Sequence, residues 1–487
     1  MHFGRGRRPA LRQREPGNRE AYAKHAEADF VSVRDQPLST FSVDVDTASY
    51  SNVRRFLSSG QLPPPDAVRI EELVNYFDYD YVQPTGKKPM TVNWELSECP
   101  WNRSHVLARV GLQTKEIRAR EVPPRNLVFL LDVSGSMSSP DKLPLLQRGM
   151  LMLVDQLREQ DTVSIVVYAG AAGLVLPTTH GHDKATIRDA ISMLSAGGST
   201  NGGQGIQLAY AQARKAFIKG GVNRVILATD GDFNVGMSSN GDMERLIVRE
   251  RKSHVFLSVL GFGTGNLQDT KMELLADKGN GNYAYIDSEK EAKKVLVAEA
   301  GATLVAAAKD VKLQIELNPA KVASYRLIGY DNRRLANEDF ANDKKDAGEM
   351  GAGHSVTALY EIVPAGEGRG KRRTARLKYQ GERARTRAGA TNEWMTVKVR
   401  YKRPTGVRSR LLEVPMGGKP KPLAKASRDF RFAAAVAEFG LVLHESDHAP
   451  SASLGHAVTV ARGALGPDPH GHRAEFLELA KTASRID

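Results

Sequence analysis

Residues 129–137 read FLLDVSGSM. An apolar run of Val128 to Leu131 ends at Asp132, and Ser134 and Ser136 follow at alternate positions. A wholly apolar strand is the signature of a strand covered on both faces. Three oxygen-bearing side chains at a two-residue stagger, where that strand stops, call for a helix cap, a phosphate cradle or a metal ion.

Outward from this stretch the chain alternates strand and helix. Strands are expected at 126–132, 162–168, 223–229, 254–260 and 283–286. Helices are expected at 142–159, 184–194, 203–219, 241–252, 267–277 and 288–307. Such alternation predicts an α/β domain with a doubly wound, mostly parallel sheet over 126–308. In open sheets of this kind ligands sit beyond the carboxyl ends of the strands. Asp132 ends one such strand and Asp230, in VILATDGD, ends another. The glycine-rich loop SAGGSTNGGQGI (195–206) between them carries Thr200. Folding therefore gathers Asp132, Ser134, Ser136, Thr200 and Asp230 at one edge.

Two carboxylates and three hydroxyls form a hard, oxygen-only donor set. Without a His or Cys cluster it argues against zinc and copper. It suits Mg²⁺, with Mn²⁺ or Ca²⁺ as substitutes, and leaves coordination positions for water and one outside ligand. The alternatives lack parts: DVSGSMSS has no Gly-Lys-Ser/Thr for a phosphate loop, and Asp132 stands where a hydrolase elbow needs glycine before Ser134.

On these motifs, residues 126 to about 300 resemble a von Willebrand factor type A domain with its metal-ion-dependent adhesion site. The resemblance implies that Ser134 and Ser136 bind the metal directly. Thr200 does so in the ligand-competent state, and Asp132 and Asp230 act largely through water. A partner protein's carboxylate takes the open position. The flanks LSTFSVDVDTASYSNVRRFL, LPPPDAVRIEELVNYFDYDY, RLIGYDNRRLANEDF and DPHGHRAEFLELA resemble a bacterial subfamily with its own N-terminal segment and an uncharacterised C-terminal domain. That subfamily implies the cell envelope or periplasm. This chain, with no signal peptide and no apolar run of membrane-spanning length, is by itself expected in the cytoplasm.

The remaining divisions follow from pattern. Residues 1–36 are expected to be a disordered basic tail, and 37–89 a small helical segment, with Ser49 or Ser51 capping one helix and Asp66 another. Strands in 90–125 are expected to pair with a β-rich, sandwich-like domain at 309–412, which includes the strand RTARLKYQ. A linker at 413–426 leads to a helical region at 427–487. The single cysteine, Cys99, excludes an internal disulfide.

The net charge of +13 is concentrated: between Gly366 and Arg410 fifteen basic residues face three acids. Basic residues at alternating positions there read as a solvated strand face, with polyanion or envelope-surface binding as the rival. Asp44 and Asp46, in VDVDTAS, are read as structural, and Glu71 and Glu72 as surface charge. The pairs His180/His182 and His470/His472 are read as solvated loops. The functional expectation is a non-enzymatic, Mg²⁺-dependent protein-binding module. Its rival is a Mg²⁺-dependent hydrolase or enzyme subunit, for which His180 and His182 are the only nearby candidate bases.

Overall fold

The structure, a computed structural model, describes residues 19–24, 26–43, 46–169, 172–197, 203–231, 240–299, 305–345, 347–366, 389, 391–404 and 406–486. Its centre is a six-stranded sheet. The strand order is Tyr283–Ile286, Phe256–Phe262, Val222–Thr229, Arg125–Asp132, Thr162–Tyr168, Ala172–His180. All neighbours are parallel except the last pair.

Every residue of Arg125–Asp132 is buried, and the two-residue period of the strand sorts them. Leu127, Phe129 and Leu131 pack with Leu146 and Met150 of the helix Leu143–Asp155. Val128 and Leu130 point the other way, into Ile206, Ala209 and Ala213 of Gly203–Lys215. Each such side chain taken fully out of water contributes roughly 1.5–3 kcal/mol, so this strand has little freedom to slip. Its amino end is clamped by Asp161, whose Oδ1 accepts from the Arg125 backbone N–H (3.0 Å) and whose Oδ2 accepts from Arg125 Nη2 (2.7 Å).

Two antiparallel sheets face one another across a second core. One has the order Val31–Ser32, Val322–Ile328, Ser355–Pro364, Asn102–Thr114, Met90–Cys99. The other has Met350–Gly351, Ala306–Leu317, Glu393–Lys402, Ser409–Gly417, with Leu38–Ser42 also paired to Ala306–Leu317. Phe41, Leu313, Ile315 and Val397 of one sheet share that core with Val110, Leu327 and Tyr360 of the other. Strands before and after the α/β unit thus build one sandwich. A third core joins the helices Ala48–Ser58 and Ile70–Asn75 to Arg428–Leu443, Leu454–Arg462 and His472–Ile486. No helix among the described residues is long and apolar enough to cross a membrane.

Several expectations are corrected. The edge strand Ala172–His180 was not anticipated. It has only a short connection from Tyr168 and runs antiparallel, and its brief apolar stretch Leu174 to Leu176 leaves Leu174 and Val175 exposed, unlike the longer runs of the doubly covered strands. The helix expected over 288–307 is short, Glu289–Lys293 with a wider turn to Glu299. Ala306 and Ala308, good helix formers, instead pair with the strand Met350–Gly351. Asp66 lies in a short 3₁₀ turn, and Arg69, not Asp66, precedes Ile70–Asn75.

Glu71 and Glu72 are buried rather than surface charges. Glu72 accepts from the Ser49 backbone N–H at 2.8 Å and pairs with Arg69. Within the expected tail, Arg19 and Ala21 donate backbone hydrogen bonds to Gly265 and Leu267 (2.7 and 3.0 Å), and Val31–Ser32 is a strand. Within the expected linker, Ser409–Gly417 continues its pairing, and Lys421 N–H donates to Leu96 O at 3.0 Å. RTARLKYQ and most of the basic stretch lie outside the described residues.

Burial alone pushes the Asp161 carboxyl up, but hydrogen bonds from Arg158 and Arg125 outweigh it and hold it at about 2. A depressed carboxyl contributes stability above its unfolded value that is lost as pH falls through the folded one. Denaturant unfolding of Asp161→Asn should therefore lack an acid-side loss of roughly 2 kcal/mol that the unaltered chain shows between about pH 4 and pH 2.

Candidate metal-binding site

Parallel pairing sets Asp132 beside Tyr168 and Leu131 beside Ala228, so Asp132 and Asp230 both emerge at the carboxyl edge. Beyond Asp132 the chain turns through the 3₁₀ segment Gly135–Ser138. The Ser134 N–H donates to Asp132 Oδ1 at 2.9 Å, and the hydroxyls of Ser134 and Ser136 are 3.0 Å apart. Val133 is held on both sides, donating to Tyr168 O (3.1 Å) and accepting from Gly197 N–H (2.8 Å). The turn thus gathers these groups in series, Ser134 against the Asp132 carboxylate and Ser136 against the Ser134 hydroxyl.

Asp132 is fully buried, and its Oδ2 accepts from Tyr168 OH and Thr229 Oγ1, each at 3.3 Å. Burial drives its carboxyl above the usual range. The Ser134 bonds pull it down, and the nearby Asp230 pushes it up again. Asp230, also buried, accepts from Lys142 Nζ at Oδ2 (2.8 Å). Its Oδ1 is buried and has no hydrogen-bond partner among the described residues. A buried carboxylate oxygen without a donor is costly unless something positive completes it. Two such carboxylates with two adjacent hydroxyls fit a hard divalent cation.

Of the five residues expected here, the structure brings together Asp132, Ser134, Ser136 and Asp230. Thr200 lies outside the described residues, as does Asp44. Lys142, Tyr168 and Thr229 were missed. A lysine six residues past Ser136 normally reads as a solvated helix start, and Tyr168 and Thr229 end apolar strands without any motif. His180 pairs with Thr162, at the opposite end of the neighbouring strand from Tyr168, roughly 20 Å of strand away from the site edge. Both His180 and His182 are exposed.

A second acidic group, Asp46, Glu72 and Glu273, is also close-set and buried. Its oxygens are already taken: Asp46 Oδ1 accepts from Tyr283 N–H (2.7 Å), and Arg333 Nη2 donates to Asp46 Oδ2 (3.1 Å) and Glu273 Oε1 (2.8 Å). Arg69 pairs with Glu72 and Asp269. These acids fasten the N-terminal segment, the α/β domain and the sandwich to one another.

The model of the von Willebrand factor type A domain matches residues 126–298, and a further von Willebrand factor model matches 16–109. Residues 302–486 match the model described as "Uncharacterized protein YfbK, C-terminal". The chain is 46% identical over 462 residues to the uncharacterised protein YfbK of Escherichia coli strain K12, covering 93% of this chain and 79% of that protein. The chain belongs to the YfbK family of von Willebrand factor type A proteins. More distantly, it is 27% identical over 182 residues to human inter-alpha-trypsin inhibitor heavy chain H3, covering 35% of this chain and 20% of that one. Among solved structures, a von Willebrand factor type A protein from Catenulispora acidiphila matches at 17% identity and a TM-score of 0.44, over 79% of this chain and 89% of that one.

In this YfbK-family chain the residue after Asp230 is constrained as tightly as Asp230 itself. Gly231 has φ +110°, and a Cβ there would stand 2.2 Å from Asn266 O. Gly231→Ala should cost roughly 2–4 kcal/mol, read as a lowered melting temperature. An unchanged melting temperature would show that the turn relaxes freely.

Proposed function

We propose that this chain is a Mg²⁺-dependent protein-binding module. The carrying observation is the edge where the buried Asp132 and Asp230 meet the hydroxyls of Ser134 and Ser136, with one Asp230 oxygen lacking a donor among the described residues. Ser134 and Ser136 would hold the metal directly and Asp132 and Asp230 largely through water. Thr200 joins in the ligand-competent state, and Mn²⁺ or Ca²⁺ is a possible substitute. When bound, the metal supplies a hard positive centre for an acidic side chain of a partner protein.

The chain's own residues prepare that contact. Ser134 N–H, Tyr168 OH and Thr229 Oγ1 orient the Asp132 carboxylate. Burial of both carboxylates keeps water from screening them, which strengthens their hold on a cation. Ser136, exposed beside the buried Ser134, marks where a partner approaches.

An enzymatic role finds less support, since the His180/His182 pair stands at the far end of the sheet. In the described part of the basic stretch polyanion binding also finds less support: on Glu393–Lys402, Lys398, Arg400 and Lys402 pair with Glu316, Asp343 and Asp310. Such paired strand residues form a solvated face rather than an open basic groove.

Asp132→Ala should abolish Mg²⁺ binding in titration calorimetry while far-ultraviolet circular dichroism stays near that of the unaltered chain. Mg²⁺ binding that survives the substitution unchanged would overturn the reading. Partner capture should be lost in EDTA and persist in moderate salt. Loss in salt with indifference to EDTA would point to the basic stretch instead.

A further inference from the structure

A cation of the chain itself reaches into the candidate metal site. Lys142 precedes the helix Leu143–Asp155, and its side chain is 9% exposed. Its ammonium donates to Asp230 Oδ2 at 2.8 Å, across 88 residues of chain. The stem is guided by Gly263, at φ +70°, where any Cβ would stand 2.2 Å from Lys142 Cε and 2.4 Å from its Cγ. Gly263 is in turn fixed, because Tyr285 OH donates to its carbonyl at 2.9 Å. The backbone therefore leaves a channel for this side chain, which a surface lysine does not require.

We infer that Lys142 is a tethered counter-cation of the metal site, which holds Asp230 when metal is absent and opposes a divalent ion when metal enters. This rests on the metal-site reading proposed above and concerns how that site is regulated. A buried pair of carboxylates without any cation is unfavourable, and the ammonium relieves it. The same ammonium then sits on one of the two acids a metal needs, so two cations compete for Asp230. Either Lys142 withdraws along the Gly263 channel or it stays and repels the ion. In both cases the metal is bound more weakly than the same oxygen groups, free of the ammonium, would otherwise allow. Metal occupancy thereby becomes sensitive to a second negative group, such as the partner's acidic residue, that helps offset the crowded charge. Occupancy by metal and by partner would then rise together, each favouring the other by the same factor.

The test is Mg²⁺ titration calorimetry on the full chain and on Lys142→Met, with melting temperatures in EDTA and in Mg²⁺. Lys142→Gln, which keeps an amide donor without the charge, serves if the methionine variant folds poorly. Removing the charge should tighten Mg²⁺ binding by about tenfold or more. It should also lower the melting temperature in EDTA and enlarge the rise that Mg²⁺ produces. Equal or weaker Mg²⁺ binding by the variants than by the unaltered chain overturns the role of Lys142 and leaves the metal site standing. Mg²⁺ binding by neither overturns the metal-site reading, and this inference with it.

Discussion

Asp132 and Asp230 stand at the ends of two adjacent strands, both out of water, close enough that each raises the cost of the other's charge. The sheet makes this unavoidable. Strands buried on both faces lock in register, and register places the residues after Leu131 and Thr229 together at one edge. Hydrogen bonds from Ser134, Tyr168 and Thr229 and the ammonium of Lys142 each answer part of that charge. The Asp230 oxygen left without a donor is the part that the described residues do not answer.

The surrounding parts of the molecule brace this edge. The loop after Phe256–Phe262 supplies Gly263, along which Lys142 runs, and Asn266, against which Gly231 is packed. That same loop is strapped from outside by Arg19 to Ala21, and Glu20 both accepts from Gly265 N–H at 2.9 Å and pairs with Arg55. Arg54, on the same helix as Arg55, bridges Asp287 and Glu291 of the α/β domain to Glu475 of the last helix. Such buried ion pairs gain little net stability over apolar packing, but breaking one leaves an uncompensated charge. Their effect is to fasten N-terminal, α/β and C-terminal parts in one arrangement around the loop that touches the site.

Much of this was legible in the amino-acid sequence, for reasons that can be named. The parallel strands showed because double burial leaves apolar runs such as VFLL, and the site showed because Asp132, Ser134 and Ser136 lie at alternate positions of one short stretch. Lys142 was illegible because its partner lies 88 residues away and a lysine at a helix start is ordinarily solvated. Glu72 looked like surface charge because the groups that bury it, Ser49 and Arg69, carry no pattern, and Asp269 and Glu273 beyond them come some 200 residues later. Ala306 and Ala307 read as helix by propensity, which the strand Ala306–Leu317 and its pairing with Met350–Gly351 overrode. Ala172–His180 was missed because its apolar stretch, Leu174 to Leu176, is only three residues long and follows closely on Thr162–Tyr168. That strand's direction also decides that His180 is remote from the site.

The most direct test of the central claim is a crystal structure of this chain grown with Mn²⁺, read by anomalous scattering. A single strong peak in contact with the Ser134 and Ser136 hydroxyls, on the Asp132 and Asp230 side, is the predicted result. Density of the ion elsewhere, with that edge empty at saturating Mn²⁺, would contradict it.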